Sequence, residues 1–182
     1  MSATVVTDKI VILDRDGTLV FDREYMDSPV QLEFEPFAAD ALLWWHDHGY
    51  RLVVITNQSG IGRGFFSIEQ VEAMNVRLHA MVEALGVCLE RIYYCPHRPE
   101  AGCPCRKPAL GLLRQAASDL DFDPERSVVI GDKESDMEFG RRAGAKTILI
   151  ANDSSALSMR IQPDRVLPNL LDAARAMTFL GW

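Results

Sequence analysis

Two aspartates that are two residues apart follow directly on a strand-forming run near the start of the chain. Residues 10–13 are all apolar, and the run ends in Asp14-Arg15-Asp16-Gly17-Thr18. A turn accounts for one acid and the glycine, because Asp-Gly is a common turn pair, but it does not require both carboxylates. One carboxylate could attack a phosphorus atom and form an aspartyl phosphate. The other could protonate the leaving oxygen and later activate water.

Other polar residues follow other apolar runs along the chain. Thr56 ends the second run, Asp132 ends the fourth with Asp136 just beyond, and Lys107 follows the third through a loop. In an open α/β sheet, ligands bind beyond the carboxyl ends of the strands, so we expect these side chains to converge. The acids would repel one another without a cation, and an all-oxygen site suits Mg²⁺. Lys107 and Thr56 could hold the transferring phosphoryl group.

A second cluster of ligand-type residues lies in the loop 95–105, CPHRPEAGCPC. It contains Cys95, His97, Cys103 and Cys105. Three sulfurs and one imidazole suit tetrahedral zinc, and four protein ligands leave no open position, so the predicted zinc site is structural. Because Lys107 follows two residues after Cys105, zinc would position this lysine. The alternative is a chance cluster of buried thiols beside a surface histidine.

Hydrophobic patterning predicts the elements that must position these residues. Strands are predicted at 9–14, 51–56, 90–95, 127–131 and 146–151, and helices at 37–48, 67–86, 109–121, 134–144 and 168–178. This alternation predicts βαβ units and a mainly parallel sheet covered on both faces, an α/β fold. The irregular stretches, 20–36 and 95–108, are candidates for function.

Length and charge narrow the class of protein. The chain has 182 residues, which suits a single domain spanning 1–182. Its net charge of -7 argues against non-specific binding to nucleic acid or membranes, since both need a basic face. No apolar run is long enough to cross a bilayer, and the first residues do not have the pattern of a signal peptide. We therefore expect a cytoplasmic monomer whose partner is a small phosphorylated substrate.

The four motifs in this order resemble those of the haloacid dehalogenase (HAD) superfamily: DRDGT at 14–18, Thr56, Lys107 and GDKESD at 131–136. The resemblance implies a Rossmannoid three-layer sandwich, with Asp14 as nucleophile and Asp16 as general acid/base. It also implies that Mg²⁺ is held by the Asp14 carboxylate, the Asp16 backbone carbonyl and Asp132, while Asp136 orients Lys107 or metal-bound water. A simpler explanation is that these acids are turn and helix-cap residues.

The zinc loop narrows the resemblance to the family that contains D-glycero-D-manno-heptose-1,7-bisphosphate 7-phosphatase and the histidinol-phosphatase domain. TNQSGIGRG at 56–64 and YYCPH at 93–97 are more similar to the heptose enzyme, and no room remains for a large cap domain. Two departures are Val20, where an asparagine is usual, and Phe37, where a glycine commonly follows Pro36. The family's substrate contacts map onto Asp22, Arg23, Glu24, Tyr25, Asn57, Gln58, Ser59, Arg106 and Lys133, with Arg63 as either a further contact or a solvated loop arginine.

Three functions remain open on the sequence. The first is a Mg²⁺-dependent heptose-bisphosphate phosphatase acting through an aspartyl phosphate. The second is a histidinol-phosphate phosphatase or another small phosphoester hydrolase that uses the same residues. The third is a non-catalytic, zinc-stabilised phosphate-binding module, which loss of Asp14 or Asp16 would have favoured.

Overall fold

The computed structural model describes residues 9–23, 28–151 and 158–182. Its centre is a sheet with the strand order β3-β2-β1-β4-β5-β6, in which every neighbouring pair is parallel. The strands are β1 (Ile10–Leu13), β2 (Arg51–Asn57), β3 (Leu89–Cys95), β4 (Ser127–Gly131), β5 (Lys146–Ile150) and β6 (Arg165–Leu167). Because all of them run the same way, their carboxyl ends share one edge, and β1 lies between β2 and β4.

The helices of the described residues follow the predicted alternation. They are α1 (Ala38–Asp47), α2 (Ser59–Arg63), α3 (Ile68–Glu83), α4 (Gly111–Leu120), α5 (Glu134–Arg142) and α6 (Leu170–Leu180). Short 3-10 turns occupy Pro29–Gln31, Pro99–Ala101 and Pro124–Arg126. None of the helices in the described part of the chain is long and apolar enough to span a membrane.

The two faces of the sheet pack into separate hydrophobic clusters. In β1, Val11 and Leu13 belong to the cluster that contains Trp45 of α1, whereas Ile10 and Ile12 belong to the one that contains Phe139 of α5. Successive side chains of a strand point to opposite faces, so a strand covered on both sides has to be apolar throughout. The predicted three-layer α/β fold is confirmed, and over the described residues the chain forms no large cap.

Two short elements were not predicted. β6 has three residues and two of them are exposed, so its sequence carries no buried strand pattern. α2 has five residues, two of which are glycine, which leaves too few positions for a helical period. By contrast, the predicted capping box of α3 is present: Gln70 N donates to Ser67 Oγ, and Ser67 N donates to Gln70 Oε1.

The two departures from the family pattern lie in different surroundings. Val20 is fully buried in the cluster under α1, so its side chain does not reach a substrate. Phe37 is half-exposed and precedes α1 with φ 66°, in the left-handed region that favours glycine. The backbone therefore explains why a glycine is usual at position 37, and the phenylalanine adds strain there.

Candidate active site

A buried lysine joins two acids at the carboxyl edge of the sheet. Lys107 Nζ donates to Asp14 Oδ1 at 2.9 Å and forms an ion pair with Asp136 Oδ1 at 2.6 Å. The same ammonium donates to the carbonyl of Ile55 in β2 at 2.7 Å. Asp14 is held at the end of β1 because its N–H donates to Ile130 O of β4 at 2.9 Å. Strand pairing thus places the predicted nucleophile beside the predicted phosphoryl-binding lysine.

The two acids that contact Lys107 have pKa values shifted in opposite directions. Burial alone would raise the pKa of Asp14, but the adjacent Lys107 outweighs it and lowers the pKa. Burial raises the pKa of Asp136 despite the same lysine. Burial would lower the pKa of Lys107, and the two acids instead raise it, so the ammonium stays charged. The result is an ionised Asp14 carboxylate, which is the form that a nucleophile needs.

A third acid completes a candidate metal centre. Carboxylate oxygens of Asp14, Asp132 and Asp136 lie within 4.8 Å of one another. Burial, followed by the charge of Asp14, raises the pKa of Asp132 to about 7. A Cβ on Gly17, which has φ 81°, would lie 2.6 Å from Asp132 Oδ2, so only glycine lets this carboxylate approach the turn. Crowded buried acids of this kind fit a hard divalent cation such as Mg²⁺.

Two amide side chains after β2 fix other members of the site. Asn57 holds the backbone of Lys107 from both sides: Lys107 N donates to Asn57 Oδ1 at 3.0 Å, and Asn57 Nδ2 donates to Lys107 O at 3.2 Å. Gln58 Nε2 donates to Asp16 Oδ2 at 2.6 Å and to Thr56 Oγ1 at 3.0 Å. Both amides therefore position protein groups, and their role as substrate contacts stays a prediction.

These residues surround a cavity of about 300 Å³ that could hold a small phosphorylated ligand. The predicted site residues that line it are Asp14, Asp16, Asp22, Arg23, Thr56, Asn57, Gln58, Ser59, Arg106, Lys107, Lys133 and Asp136. Lys133 Nζ spans its mouth to reach Asp22 Oδ2 at 3.3 Å. Arg63 is exposed and is not among the described residues that line the cavity. Glu24 and Tyr25, predicted as substrate contacts, lie outside the described residues.

The sulfur and imidazole groups of the 95–105 loop also converge. Sγ of Cys95, Cys103 and Cys105 and Nδ1 of His97 lie within 4.8 Å of one another. Burial raises the pKa of Cys95 to about 12. Burial opposes ionisation of Cys103 too, but hydrogen bonds from Cys105 and Cys95 lower its pKa to about 6. A thiolate close to two further cysteine sulfurs and an imidazole is a donor set that suits a metal ion bound by four protein ligands. These residues could hold zinc.

Comparison with known proteins gives the family. The HAD-hydrolase-like family matches residues 104–173. A D-glycero-beta-D-manno-heptose-1,7-bisphosphate 7-phosphatase of Haemophilus ducreyi is 40% identical over 173 residues, 90% of this chain and 95% of the relative. One from Helicobacter pylori is 41% identical over 147 residues, 80% of this chain and 84% of the relative. The chain belongs to the heptose-bisphosphate phosphatase family of the HAD superfamily.

Solved structures of the heptose-bisphosphate phosphatase family have the same fold. The D,D-heptose 1,7-bisphosphate phosphatase of B. bronchiseptica, complexed with magnesium and phosphate, matches with a TM-score of 0.85 and 30% identity, over 94% of this chain and 99% of that one. The enzyme of Burkholderia thailandensis matches with a TM-score of 0.69 and 29% identity, over 96% and 99%. The chain is accordingly a HAD sugar phosphatase, a phosphomonoester hydrolase.

Sequence reasoning missed several residues of this site. Arg15 received no role from the sequence, yet it lines the cavity. Its signal was available, because a charged residue between two acids at the end of a buried strand needs a partner. Phe66 and Ser135 also line the cavity. Neither has a type or spacing that distinguishes it from packing or helix-start residues.

Proposed function

We propose that this protein is a Mg²⁺-dependent phosphatase that hydrolyses D-glycero-D-manno-heptose 1,7-bisphosphate to the 1-phosphate through an aspartyl-phosphate intermediate. The observation that carries the proposal is the buried Asp14 carboxylate, held 2.9 Å from Lys107 Nζ beside two further acids. A carboxylate kept ionised in a dry site next to a fixed cation is suited to attack on phosphorus. The names of the family members support the choice of sugar.

The residues of the chain divide the reaction between them. An oxygen of Asp14 attacks the phosphorus of the C7 phosphate, and the bond from phosphorus to the sugar oxygen breaks. Asp16 supplies the proton that this leaving oxygen takes up. In the second half, Asp16 accepts a proton from water, whose oxygen attacks the phosphorus and releases Asp14. Lys107 and the Thr56 hydroxyl hold the phosphoryl oxygens in both halves.

Two metals are part of the proposal. Mg²⁺ would be held by the carboxylates of Asp14 and Asp132 and the backbone carbonyl of Asp16, and when bound it neutralises the phosphoryl oxygens. Asp136, already paired with Lys107, would orient that lysine and metal-bound water. Zinc would be held by the four donors of the 95–105 loop in a structural role.

The mouth of the cavity supports a substrate with two phosphates. Arg106 and Lys133 both line it, although the protein as a whole is acidic. Lys107 is almost fully buried between Asp14 and Asp136, whereas half of the Lys133 side chain is exposed, so a second phosphate would be recognised by the more exposed cations. A charge-assisted hydrogen bond to phosphate contributes on the order of 1.5–3 kcal/mol, or roughly ten- to a hundredfold in specificity.

A substrate panel tests the proposal. The purified protein is assayed with heptose 1,7-bisphosphate, histidinol phosphate, other sugar phosphates and nucleotides. We expect kcat/KM for the bisphosphate to exceed that for histidinol phosphate by at least about tenfold, the equivalent of one such contact. A preference for histidinol phosphate would overturn the choice of substrate and leave the aspartyl-phosphate chemistry standing.

Two arginine variants sharpen the assay. Arg106→Ala removes a cation that lines the cavity, and we expect it to impair hydrolysis of the bisphosphate more than that of a monophosphate. Arg63→Ala is the matched control, because Arg63 is an exposed arginine that does not line the cavity. Equal effects of the two substitutions would show that Arg106 does not contact the second phosphate.

A further inference from the structure

Arg15 is a charged side chain that the proposed reaction leaves without a role. Only 2% of it is exposed, although it lies between Asp14 and Asp16 at the end of β1. Its guanidinium approaches Asp16 through two nitrogens: Nε lies 3.2 Å from Oδ1 and 3.1 Å from Oδ2, and Nη2 lies 3.1 Å from Oδ2. The remaining Nη1 donates to Oδ1 of the buried Asn75 in α3 at 3.0 Å. A guanidinium held in this way is anchored to the core.

Gln58 approaches the same carboxylate from β2. Its side chain is 4% exposed, and the two hydrogens of its amide nitrogen go to Asp16 Oδ2 at 2.6 Å and Thr56 Oγ1 at 3.0 Å. An amide NH₂ has two donors, so this group has none left for a substrate. The Thr56 hydroxyl accepts from Gln58, which leaves its own hydrogen free for a phosphoryl oxygen.

The two carboxylate oxygens of Asp16 do not have the same number of contacts. Oδ2 accepts from Gln58 Nε2 and Arg15 Nε and also lies 3.1 Å from the charged Arg15 Nη2, whereas Oδ1 receives only the longer branch from Arg15 Nε. A proton on Oδ2 would displace short donors to that oxygen. A proton on Oδ1 leaves Oδ2 as the acceptor for all of them, and Arg15 keeps its partner when the carboxyl is neutral. Burial makes this distinction matter, because Arg15 and Gln58 are almost fully buried and a donor left without its acceptor there is costly.

We propose that Arg15 and Gln58 are positioning residues that hold Asp16 by Oδ2, so that Oδ1 is the oxygen that delivers the proton to the leaving alcohol. This inference rests on the proposed function, in which Asp16 is the general acid. Asp16 thus works from a fixed carboxylate in which Oδ1 has only the single contact with Arg15 Nε. Its orientation is set from two directions, by a guanidinium anchored on α3 and by an amide at the end of β2.

The test compares two esters that need the acid to different degrees. p-Nitrophenolate leaves without a proton, whereas the sugar alkoxide of heptose 1,7-bisphosphate must be protonated. The value kcat/KM covers binding and the steps up to departure of the leaving group. Because Arg15 and Gln58 also line the cavity, kcat and KM are measured separately: lost proton delivery lowers kcat for the sugar ester, whereas lost binding raises its KM. We expect Arg15→Met and Gln58→Met to reduce kcat/KM for the sugar ester at least about tenfold more than for p-nitrophenyl phosphate, the loss typical of one hydrogen bond to a charged group.

Asn57→Leu is the matched control. Asn57 precedes Gln58 in the chain, and its side-chain amide also positions a catalytic residue. That residue is Lys107, which holds the phosphoryl group of either ester. We expect this variant to lower kcat/KM for both esters by the same factor. If Arg15→Met does not fold, Arg15→Lys keeps the charge on a single donor nitrogen that cannot reach Asp16 and Asn75 as the guanidinium does, and it should change the ratio of kcat/KM between the two esters in the same direction by a smaller factor.

The outcomes separate this inference from the proposed function. If Asp16→Asn itself leaves the ratio unchanged, Asp16 is not the acid and the proposed mechanism fails. If Asp16→Asn changes the ratio while the folded Arg15 and Gln58 variants lower both esters equally, or neither, the two residues are not positioning Asp16 and only this inference is overturned.

Discussion

Lys107 Nζ lies 2.9 Å from Asp14 Oδ1, and both side chains are more than nine-tenths buried. The lysine comes from the loop after β3, and the acid comes from the end of β1. A buried ion pair costs much of its attraction in desolvation, so this one adds little to the stability of the fold. Its effect is electrostatic: it keeps the nucleophile ionised where burial alone would protonate it.

Lys107→Met should destabilise the metal-free protein and abolish turnover. Removing one partner of a buried pair typically costs about 3–5 kcal/mol, because the remaining charges are left uncompensated. Urea denaturation measures the loss. The double variant Lys107→Met with Asp136→Asn should recover part of the stability but none of the activity. Unchanged stability in the single variant would show that Lys107 does not compensate these acids.

Asp14→Asn should abolish turnover and leave the fold intact. The amide cannot attack phosphorus, and the substitution relieves crowding among acids while Lys107 keeps Asp136 as a partner. The checks are product formation over long incubation and a thermal melt. Residual activity above that of a mock purification would remove Asp14 from the role of nucleophile.

Mg²⁺ should bind with release of protons near neutral pH. Asp132 has its pKa raised from 3.8 to about 7, so between these values the metal-free folded state holds a proton that the unfolded state has lost. Stability of the metal-free protein therefore falls as pH rises through this window. Mg²⁺ needs the ionised carboxylate, so its affinity should rise up to about pH 7 and then level off.

Calorimetry in two buffers of different ionisation enthalpy counts the released protons. Asp132→Asn is the control, and it should bind Mg²⁺ weakly without a step near neutral pH. An affinity in the wild-type protein that does not vary with pH would contradict the raised pKa of Asp132.

Cys103→Ser should lower both the zinc content and the activity. We expect about one zinc per chain by metal analysis of the wild-type protein. Loss of a ligand frees the loop that leads into Lys107, so the effect should appear in kcat as well as in zinc content. Cys88→Ser is the matched control, since Cys88 is an exposed thiol outside the cluster. A zinc-free protein with full activity would show that the loop does not position Lys107.

Phe37→Gly should stabilise the protein by about 0.5–1 kcal/mol, because it removes a side chain from the left-handed region at a half-exposed position. Asp121→Gly is the comparison. Asp121 has φ 50° at the end of α4, but aspartate tolerates this region better, so its gain should be smaller. Denaturant midpoints of the two variants measure the difference. A loss of stability at position 37 would mean that the contacts of the ring outweigh the strain.

The sequence was most informative where chemistry coincides with the end of a strand. Asp14, Thr56 and Asp132 could be placed together because parallel strands end at one edge, and the structure brings them to that edge. The contacts that Asn57 and Gln58 make with other protein groups could not be predicted from the sequence. Whether an amide faces a ligand or a neighbouring side chain depends on tertiary contacts up to 50 residues away.

The sequence also did not predict the positions of two arginines. Arg63 was weighed as either a substrate contact or a solvated loop arginine, and it is not among the described residues that line the cavity. Arg15 received no role, yet it is buried against Asp16 and Asn75. Its contact with Asn75 joins residues 60 positions apart, and no local pattern marks such a pair.

The position of β1 between β2 and β4 has a consequence for biosynthesis. The Thr18 hydroxyl donates to Asp132, and the two residues are 114 positions apart in the chain. The part of the metal centre that follows β1 is therefore synthesised well before the part that follows β4. Until β4 emerges, β1 has one unpaired edge, and Asp14 lacks both Asp132 and the carbonyl of Ile130. Long-range parallel pairing is intrinsically slow, so we expect the active site to form among the last steps of folding. A truncated chain that ends before β4 therefore has no nucleophile in working geometry.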